Sequence, residues 1–467
     1  MFTINEIAEA TGGRIVGPET GEVTAVSTDS RSVAPGQLFV PLRGERFDGH
    51  TFIQDVAEKG VTVVMAEEGW LKGHPIPDSI TCIAVKNTLL GLGDLAALWR
   101  RHFDIPVFAV TGSNGKTTVK EMLGAILELT GAGLKTSGNL NNLIGLPQML
   151  FLLRPEHRWA VLEMGMSEPG EIDRLASIAA PQVGIVLNAL PAHLQSMGTV
   201  EAVAAAKGEL LHRISDGGLA VVNADDSRVA SLSQNASARR ISFGIDRGEV
   251  RAREITAMGL EGQQFLLVTP SGEAVVRLKA CGRHNVYNAL AATAALLEKV
   301  DLPTIVAGLE AFTPYSGRFR IERLGGITLV DDSYNANPAS TKAALETLNQ
   351  IAAAGHRIAV LGDMLELGEH GVEAHRAVGT VAGRSVDRLY LTGELMVKHA
   401  AECALLADMP AESIICCSSH REIAERLLQK VTDGDVILFK GSRGMTMEKA
   451  AAELKDLMQH ANGAVNK

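Results

Sequence analysis

The sequence predicts an α/β protein of three domains: a small N-terminal α/β domain at 1–85, a central parallel-sheet domain at 86–313, and a C-terminal Rossmann-like α/β domain at 314–467. Three observations predict it. A chain of 467 residues exceeds one ordinary domain. Apolar strand-like runs alternate with helical stretches along most of its length, the rhythm of a parallel sheet wrapped by helices. At 110–118 the stretch VTGSNGKTT joins one such run, VFAV, to the helical KEMLGAILELT.

The elements follow in order. Thr3-Ile4-Asn5-Glu6 fits a capping box opening the first helix. GRIVG, VTAVSTD, LFVPL, VTVVMAE and TCIAV read as short strands around a helical FIQDVAEKG. NTLLGLGDLAALWRRHF is an amphipathic helix leading to Ile105-Pro106. VFAV, WAVLEM, VGIVLN and GLAVVN are the central strands. Between about 240 and 280, RRISFGI, EVRAREITAM, QQFLLVTP and AVVRLKA alternate and predict an antiparallel excursion before the helix NVYNALAATAALLEKV. ITLVDDS, RIAVLGD, RLYLTG and VILFKGS supply the third set of strands, and the terminal QHANGAVNK is expected to fray.

Composition narrows the function. Aromatic residues make up 4% and the net charge is −10, so neither stacking platforms nor a basic stripe for nucleic acid is present. No run approaches the ~18 apolar residues of a spanning helix, which argues against membrane insertion. The start lacks a charged-then-apolar signal. Cys82, Cys281, Cys403, Cys416 and Cys417 form no C-x-x-C pattern. These features predict a cytoplasmic enzyme, expected to be a monomer. HGVEAH at 370–375 is neither H-E-x-x-H nor its inverse, and is expected to form a solvated helix face.

Strand, glycine loop and helix together make an anion site, because the N–H groups of the first helical turn have no intrahelical acceptor. Gly112 lies four residues before Lys116, closer than in the common G-x-x-x-x-G-K-[ST] pattern, yet Gly115, Lys116, Thr117 and Thr118 sit where phosphate chemistry needs them. Polar groups follow the strands at Glu163, His193, Asp331 and Asp332, at the ends where such sheets gather ligands. Magnesium on nucleotide phosphates takes one or two protein oxygens, which Thr117 and Glu163 can supply. Lys86-Asn87-Thr88 is not an N-K-x-D motif, so ATP is favoured over a guanine nucleotide.

TGSNGKTT, EMG at 163–165, NALPAHL at 188–194, AKGE at 206–209, GRHNVYNALAA at 282–292 and GRF at 317–319 resemble the Mur ligase family, in order and over nearly the whole chain. That resemblance implies ATP-dependent joining of amino acids to the peptide stem of bacterial cell-wall precursors, on a central P-loop ATPase domain. DDSYNANP at 331–338 and LGDMLELGEHG at 361–371 are similar to the family member that adds D-alanyl-D-alanine to a UDP-N-acetylmuramoyl tripeptide. Residues 27–53 are similar to the uridine-nucleotide-binding domain of that member and of the preceding tripeptide-forming enzyme.

The resemblance implies an acyl phosphate, formed when the substrate carboxylate takes the γ-phosphate and resolved by the dipeptide amine. Gly112, Ser113, Asn114, Gly115, Lys116, Thr117 and Thr118 would bind the ATP phosphates. His284, Asn285 and Asn288 would meet the base, Arg318 the phosphates and Asp332 the ribose. Two magnesium ions are implied, one on Thr117 and Glu163, the second near His193. Lys116, His193 and Lys207 are the catalytic candidates. Lys207 has two readings: a lysine stretched along a helix face, or a carrier of a CO₂-derived carbamate that ligates the second magnesium. Ser30, Arg31, Asp48, Gly49 and His50 are expected at the uridine nucleotide. Asn139, Asn141 and Asn142 are expected in the substrate cleft. Tyr334, Asn335, Asn337, Lys440, Ser442 and Arg443 are the dipeptide candidates. The alternatives are the ligase adding the third amino acid (no D-N-P-R is present), folylpolyglutamate synthase, and an ATP-dependent binding module without ligation chemistry.

Overall fold

The computed structural model describes residues 1–467 except 19–20, 45–46, 193, 233–237 and 466–467, with backbone alone over 461–465. The first helix, Ile4–Thr11, starts at the expected capping box, with Thr3 and Glu6 satisfying each other's backbone N–H groups. The N-terminal sheet has five strands in the order Arg14–Val16, Thr81–Val85, Val63–Glu67, Gln37–Phe39, Ala25–Ser27, all parallel except the first.

The central sheet has nine strands. Val107–Thr111 lies between Ala160–Glu163 and Val183–Val186. The chain leaves Val107–Thr111 toward one side and later returns to the other, and the crevice at that reversal is where open parallel sheets bind ligands. All five residues of Val107–Thr111 are buried, which explains the unbroken apolar run ahead of the loop.

The antiparallel excursion is shorter than the alternation suggests. Arg239–Gly244 (RRISFGI) pairs parallel with Leu219–Asn223 and extends the parallel sheet. Val250–Ala257 joins it through two parallel pairs, and the antiparallel pairing begins on its other side, with Gln263–Thr269 and then Gly272–Leu278. Arg239–Gly244 is exposed at its first two residues and buried at its last two, between a parallel neighbour on each side. Alternation reports one-sided burial, not strand direction.

The C-terminal sheet has six strands in the order Arg320–Leu324, Ile327–Asp331, Val436–Lys440, Arg357–Leu361, Arg388–Leu391, Ile414–Cys416, parallel apart from the first hairpin. Its two edge strands escape sequence reading because neither has a buried residue. The last helix, Glu448–Val465, continues past the point where fraying is expected.

Packing divides the chain unevenly. One apolar cluster contains Phe2, Ile4, Leu38 and Met65 of the N-terminal unit together with Val107, Leu146, Leu162 and Leu175 of the central one. Helix Thr88–Arg100 touches Ile4–Thr11 on one side and Gly145–Leu150 and Glu171–Ala179 on the other. The two faces of the C-terminal sheet have clusters of their own, and Cys281 and Leu260 are the central residues that reach one of them.

Candidate active site

The phosphate loop begins where Val107–Thr111 ends and helix Lys116–Leu127 starts. Gly115 caps that helix at φ +90°, and a Cβ there would collide with the Asn288 carboxamide oxygen. Only glycine suits both demands. The loop is braced from the neighbouring strand end. Ser113 N–H donates to Asn188 O at 3.1 Å, and Ser113 Oγ donates to Leu190 O at 2.9 Å. Asn188 accepts the Asn114 N–H at 2.9 Å and donates to Asn114 O at 3.1 Å. Asn188, inside NALPAHL, is a loop support that residue-by-residue reading passes over.

Lys116 folds back on its own loop, Nζ donating to Gly112 O at 2.8 Å. Burial pushes its pKa down, opposed by nearby Glu163 and reinforced by Arg318. Glu163 is 3% exposed. One of its oxygens accepts from Thr117 Oγ1 at 3.0 Å and the other from Asn141 Nδ2 at 2.9 Å. Among the described residues it has no ion-pair partner. A buried carboxylate beside a hydroxyl, with no cation in ion-pair contact, is a donor set suited to a hard divalent ion. The three asparagines of the cleft have separate tasks. Asn141 holds Glu163, Asn142 Oδ1 accepts the N–H groups of Ile144 and Gly145, and Asn139 is exposed.

Lys207 lies in helix Val200–Gly208 and is 2% exposed. It makes no hydrogen bond or ion pair among the described residues, and burial, then the charge of Lys116, pushes its pKa well down. This excludes a lysine spread along a solvated helix face. His193, expected at the second metal, lies outside the described residues.

The C-terminal unit reaches this point directly. Arg318 Nη2 donates to Thr117 Oγ1 at 3.3 Å, and its guanidinium stacks 4.3 Å from the Tyr334 ring centre. A cleft of about 350 Å³ is lined by Thr117, Lys120, Glu121, Lys135, Arg318 and Tyr334. Tyr334 therefore walls the phosphate-loop side. A smaller pocket beside it brings together Thr118, Asn285, Tyr315 and Arg318. Asn288 Nδ2 donates to Asn285 Oδ1 at 2.9 Å, and Asn285 Nδ2 in turn donates to Cys281 O and faces His284 Nε2. Burial holds His284 below its ordinary pKa, with Asp332 opposing and Lys440 reinforcing.

Several of the third-sheet residues hold one another. Lys440 is buried, its Nζ 2.6 Å from Asp332 Oδ2 and 3.0 Å from Asn335 O, while the other Asp332 oxygen accepts the Phe319 N–H at 3.1 Å. Ser442 Oγ donates to Ala336 O at 3.1 Å and accepts the Leu365 N–H at 2.9 Å. Arg443 N–H donates to Asn335 Oδ1, and its exposed guanidinium pairs with Glu448. Asn337 faces Asn114 of the phosphate loop.

The HGVEAH reading needs correction. His375 is fully buried, donating from Nδ1 to Gly371 O at 2.7 Å and accepting the Met364 N–H at Nε2 at 3.0 Å. The helical spacing that places Gly371 four residues earlier turns this imidazole inward.

In the N-terminal unit, Ser30 and Arg31 follow strand Ala25–Ser27, while Asp48, Gly49 and His50 pack behind the residues after Gln37–Phe39. His50 is fully buried. Its Nδ1 meets Asp48 at 2.6 Å, and its Nε2 accepts the Glu67 N–H at 3.1 Å. Gly49 N–H donates to Leu42 O, and a Cβ there would press on the Leu42 backbone. Arg31 is exposed, paired with Asp29.

Profiles of the Mur ligase family match three stretches: the Mur ligase family catalytic domain at 22–89, the Mur ligase middle domain at 110–296, and the glutamate ligase domain at 317–443. A UDP-N-acetylmuramoyl-tripeptide–D-alanyl-D-alanine ligase from Escherichia coli is 35% identical over 97% of this chain and 98% of its own. A crystal structure of MurF from Acinetobacter baumannii, 36% identical, superposes with a TM-score of 0.88 over 97% of this chain and 99% of that one. MurF ligase from Thermotoga maritima in complex with ADP, 29% identical, superposes at 0.83 over 94% and 98%.

Proposed function

As this chain belongs to the Mur ligase family, we propose that it joins D-alanyl-D-alanine to a UDP-N-acetylmuramoyl tripeptide at the expense of ATP, in peptidoglycan precursor synthesis. The observation that carries this reading is the meeting of Thr117, Glu163 and Arg318 at one point, in a chain that matches ligases of this activity from end to end.

The chemistry requires two anions to approach. The stem carboxylate attacks the γ-phosphorus, the bond to ADP breaks, and an acyl phosphate forms. The dipeptide amine then attacks the acyl carbon, loses a proton and expels phosphate. Lys116 and the free N–H groups at the start of its helix lower the repulsion in the first step. Thr117 and Glu163 would hold magnesium, whose charge neutralises the phosphates. Asn141 fixes the Glu163 carboxylate in place. Arg318 adds a third-sheet cation at Thr117, so closure of that unit completes the site and excludes water from the acyl phosphate.

Lys207 suits carbamate formation. Its burial favours the neutral amine, the form whose nitrogen adds to CO₂ with release of one proton. The resulting anion would sit near Lys116 and supply oxygens to a second magnesium. The 350 Å³ cleft and the pocket beside it would receive the nucleotide. At the uridine end, Arg31 has the exposed side chain, whereas Asp48 and His50 shape the loop behind it. No described helix is long and apolar enough to cross a membrane. We place the enzyme in the cytoplasm, where ATP and nucleotide-linked precursors meet.

Phosphate release tests the function. With ATP and UDP-N-acetylmuramoyl tripeptide, sustained release should require D-alanyl-D-alanine and match amide product one to one. Release independent of both substrates would overturn the reading.

A further inference from the structure

The phosphate loop and the C-terminal unit are joined by a reciprocal pair of carboxamides. Asn337 Nδ2 donates to Asn114 Oδ1 at 2.6 Å, and Asn114 Nδ2 donates to Asn337 Oδ1 at 3.3 Å. Both residues are partly buried and stand 223 positions apart in sequence. Each is fixed from behind. The Asn114 backbone is clasped by the Asn188 carboxamide. Asn337 caps helix Pro338–Gln350, its Oδ1 accepting the Ser340 N–H at 2.9 Å while Ser340 Oγ accepts the Asn337 N–H at 3.0 Å. Three carboxamides thus run in series from the central strand end, through the phosphate loop, to a C-terminal helix. On the other side of Lys116, Arg318 holds Thr117.

We infer that Asn114 and Asn337 form a latch that holds the C-terminal unit closed on the phosphate loop, making Asn337 a positioning residue for closure and not a dipeptide ligand. Its Oδ1 accepts from both Asn114 Nδ2 and the Ser340 N–H, and one of its two Nδ2 hydrogens goes to Asn114, so most of its hydrogen-bonding capacity is spent on the pair and the cap. A carboxamide pair suits this place: it carries no charge beside the phosphates and exchanges two hydrogen bonds only when both loops are correctly oriented. The activity readout below rests on the ligase reading; the closure readout needs only nucleotide binding.

Asn337→Ser separates latch from cap, because serine caps a helix as well as asparagine but cannot reach Asn114. Closure can be followed in the full chain by fluorescence transfer between one dye on the central unit and one on the C-terminal unit, using magnesium and a non-hydrolysable ATP analogue. Loss of two hydrogen bonds should lower the closed-to-open ratio roughly ten- to thirtyfold in Asn337→Ser and equally in Asn114→Ala. The double variant should be no worse than either single one, and kcat/KM for D-alanyl-D-alanine should fall in parallel. Unchanged melting temperatures would show that the cap and fold persist. Closure by Asn337→Ser as complete as in the wild type, or additive losses in the double variant, would overturn the latch. A wild-type protein that closes on the analogue but makes no amide product would overturn the ligase reading and leave the latch standing.

Discussion

The N-terminal and central units both carry residues picked out for binding, and the two regions treat them in opposite ways. In the N-terminal unit, Asp48 and His50 satisfy each other and the Glu67 backbone, and Gly49 makes room for the chain at Leu42. In the central unit, Glu163 has no ion pair and Lys207 neither an ion pair nor a hydrogen bond among the described residues, and both are buried. Burying an ionisable group without a partner is costly, and such perturbed groups gather at functional sites. The N-terminal set is paired within the loop it builds; Glu163 and Lys207 are left without an ion pair among the described residues.

The comparison can be broken first at its unsatisfied end. Lys116→Ala should lower ligation on the order of a thousandfold or more without unfolding the protein, since the side chain contributes charge at the reacting phosphate. Product formation at saturating ATP, beside a melting curve, checks both halves. Lys207→Ala should be nearly as inactive, with partial recovery in acetate or formate if a small anion replaces the carbamate. Normal activity without added acid would remove Lys207 from the site.

At the satisfied end the effect should move from catalysis to stability. His50→Ala removes a fully buried ring and strands the Glu67 N–H, costing about 2–4 kcal/mol. Thermal melting should show this as a drop of several degrees, while nucleotide binding at the central sheet stays normal. His375 sharpens the same contrast through pH. Burial holds its pKa below the ordinary 6.5, against the opposing hydrogen bond to Gly371 and the charge of Asp363. Below pH 6.5 the unfolded chain takes up a proton that the folded one refuses, so stability falls as pH drops toward the folded pKa. Denaturant midpoints for the wild type and His375→Gln between pH 7.5 and 5 should show a steeper acid loss in the wild type. The smallest effect belongs to Arg31. Its substitution by alanine should leave the melting temperature unchanged and raise KM for the uridine nucleotide substrate alone.

What the sequence made legible is what depends on near neighbours. The Gly115-Lys116-Thr117 spacing is set by one turn of backbone, and Glu163 by the end of one apolar run, so both could be placed from adjacent residues. The partnerships of Asn114 with Asn337 and of Lys440 with Asp332 arise only when distant strands converge, and no local pattern encodes them. The short edge strand Leu134–Lys135 offers too few residues for any periodicity. His375 escapes sequence reading because a polar residue in a polar stretch looks solvated until the carbonyl that receives it, Gly371 O, is known.

The apolar cluster shared by the first two units has a consequence for how the chain melts. Phe2, Leu38, Val107 and Leu162 belong to one cluster, so heat must remove the N-terminal and central units together. The C-terminal sheet, with separate clusters, can lose cooperativity on its own. A scanning calorimeter should therefore record two transitions from a chain built as N-terminal, central and C-terminal units. ATP analogues that bridge the cleft should draw the two peaks toward each other, because a ligand held by both units links their unfolding.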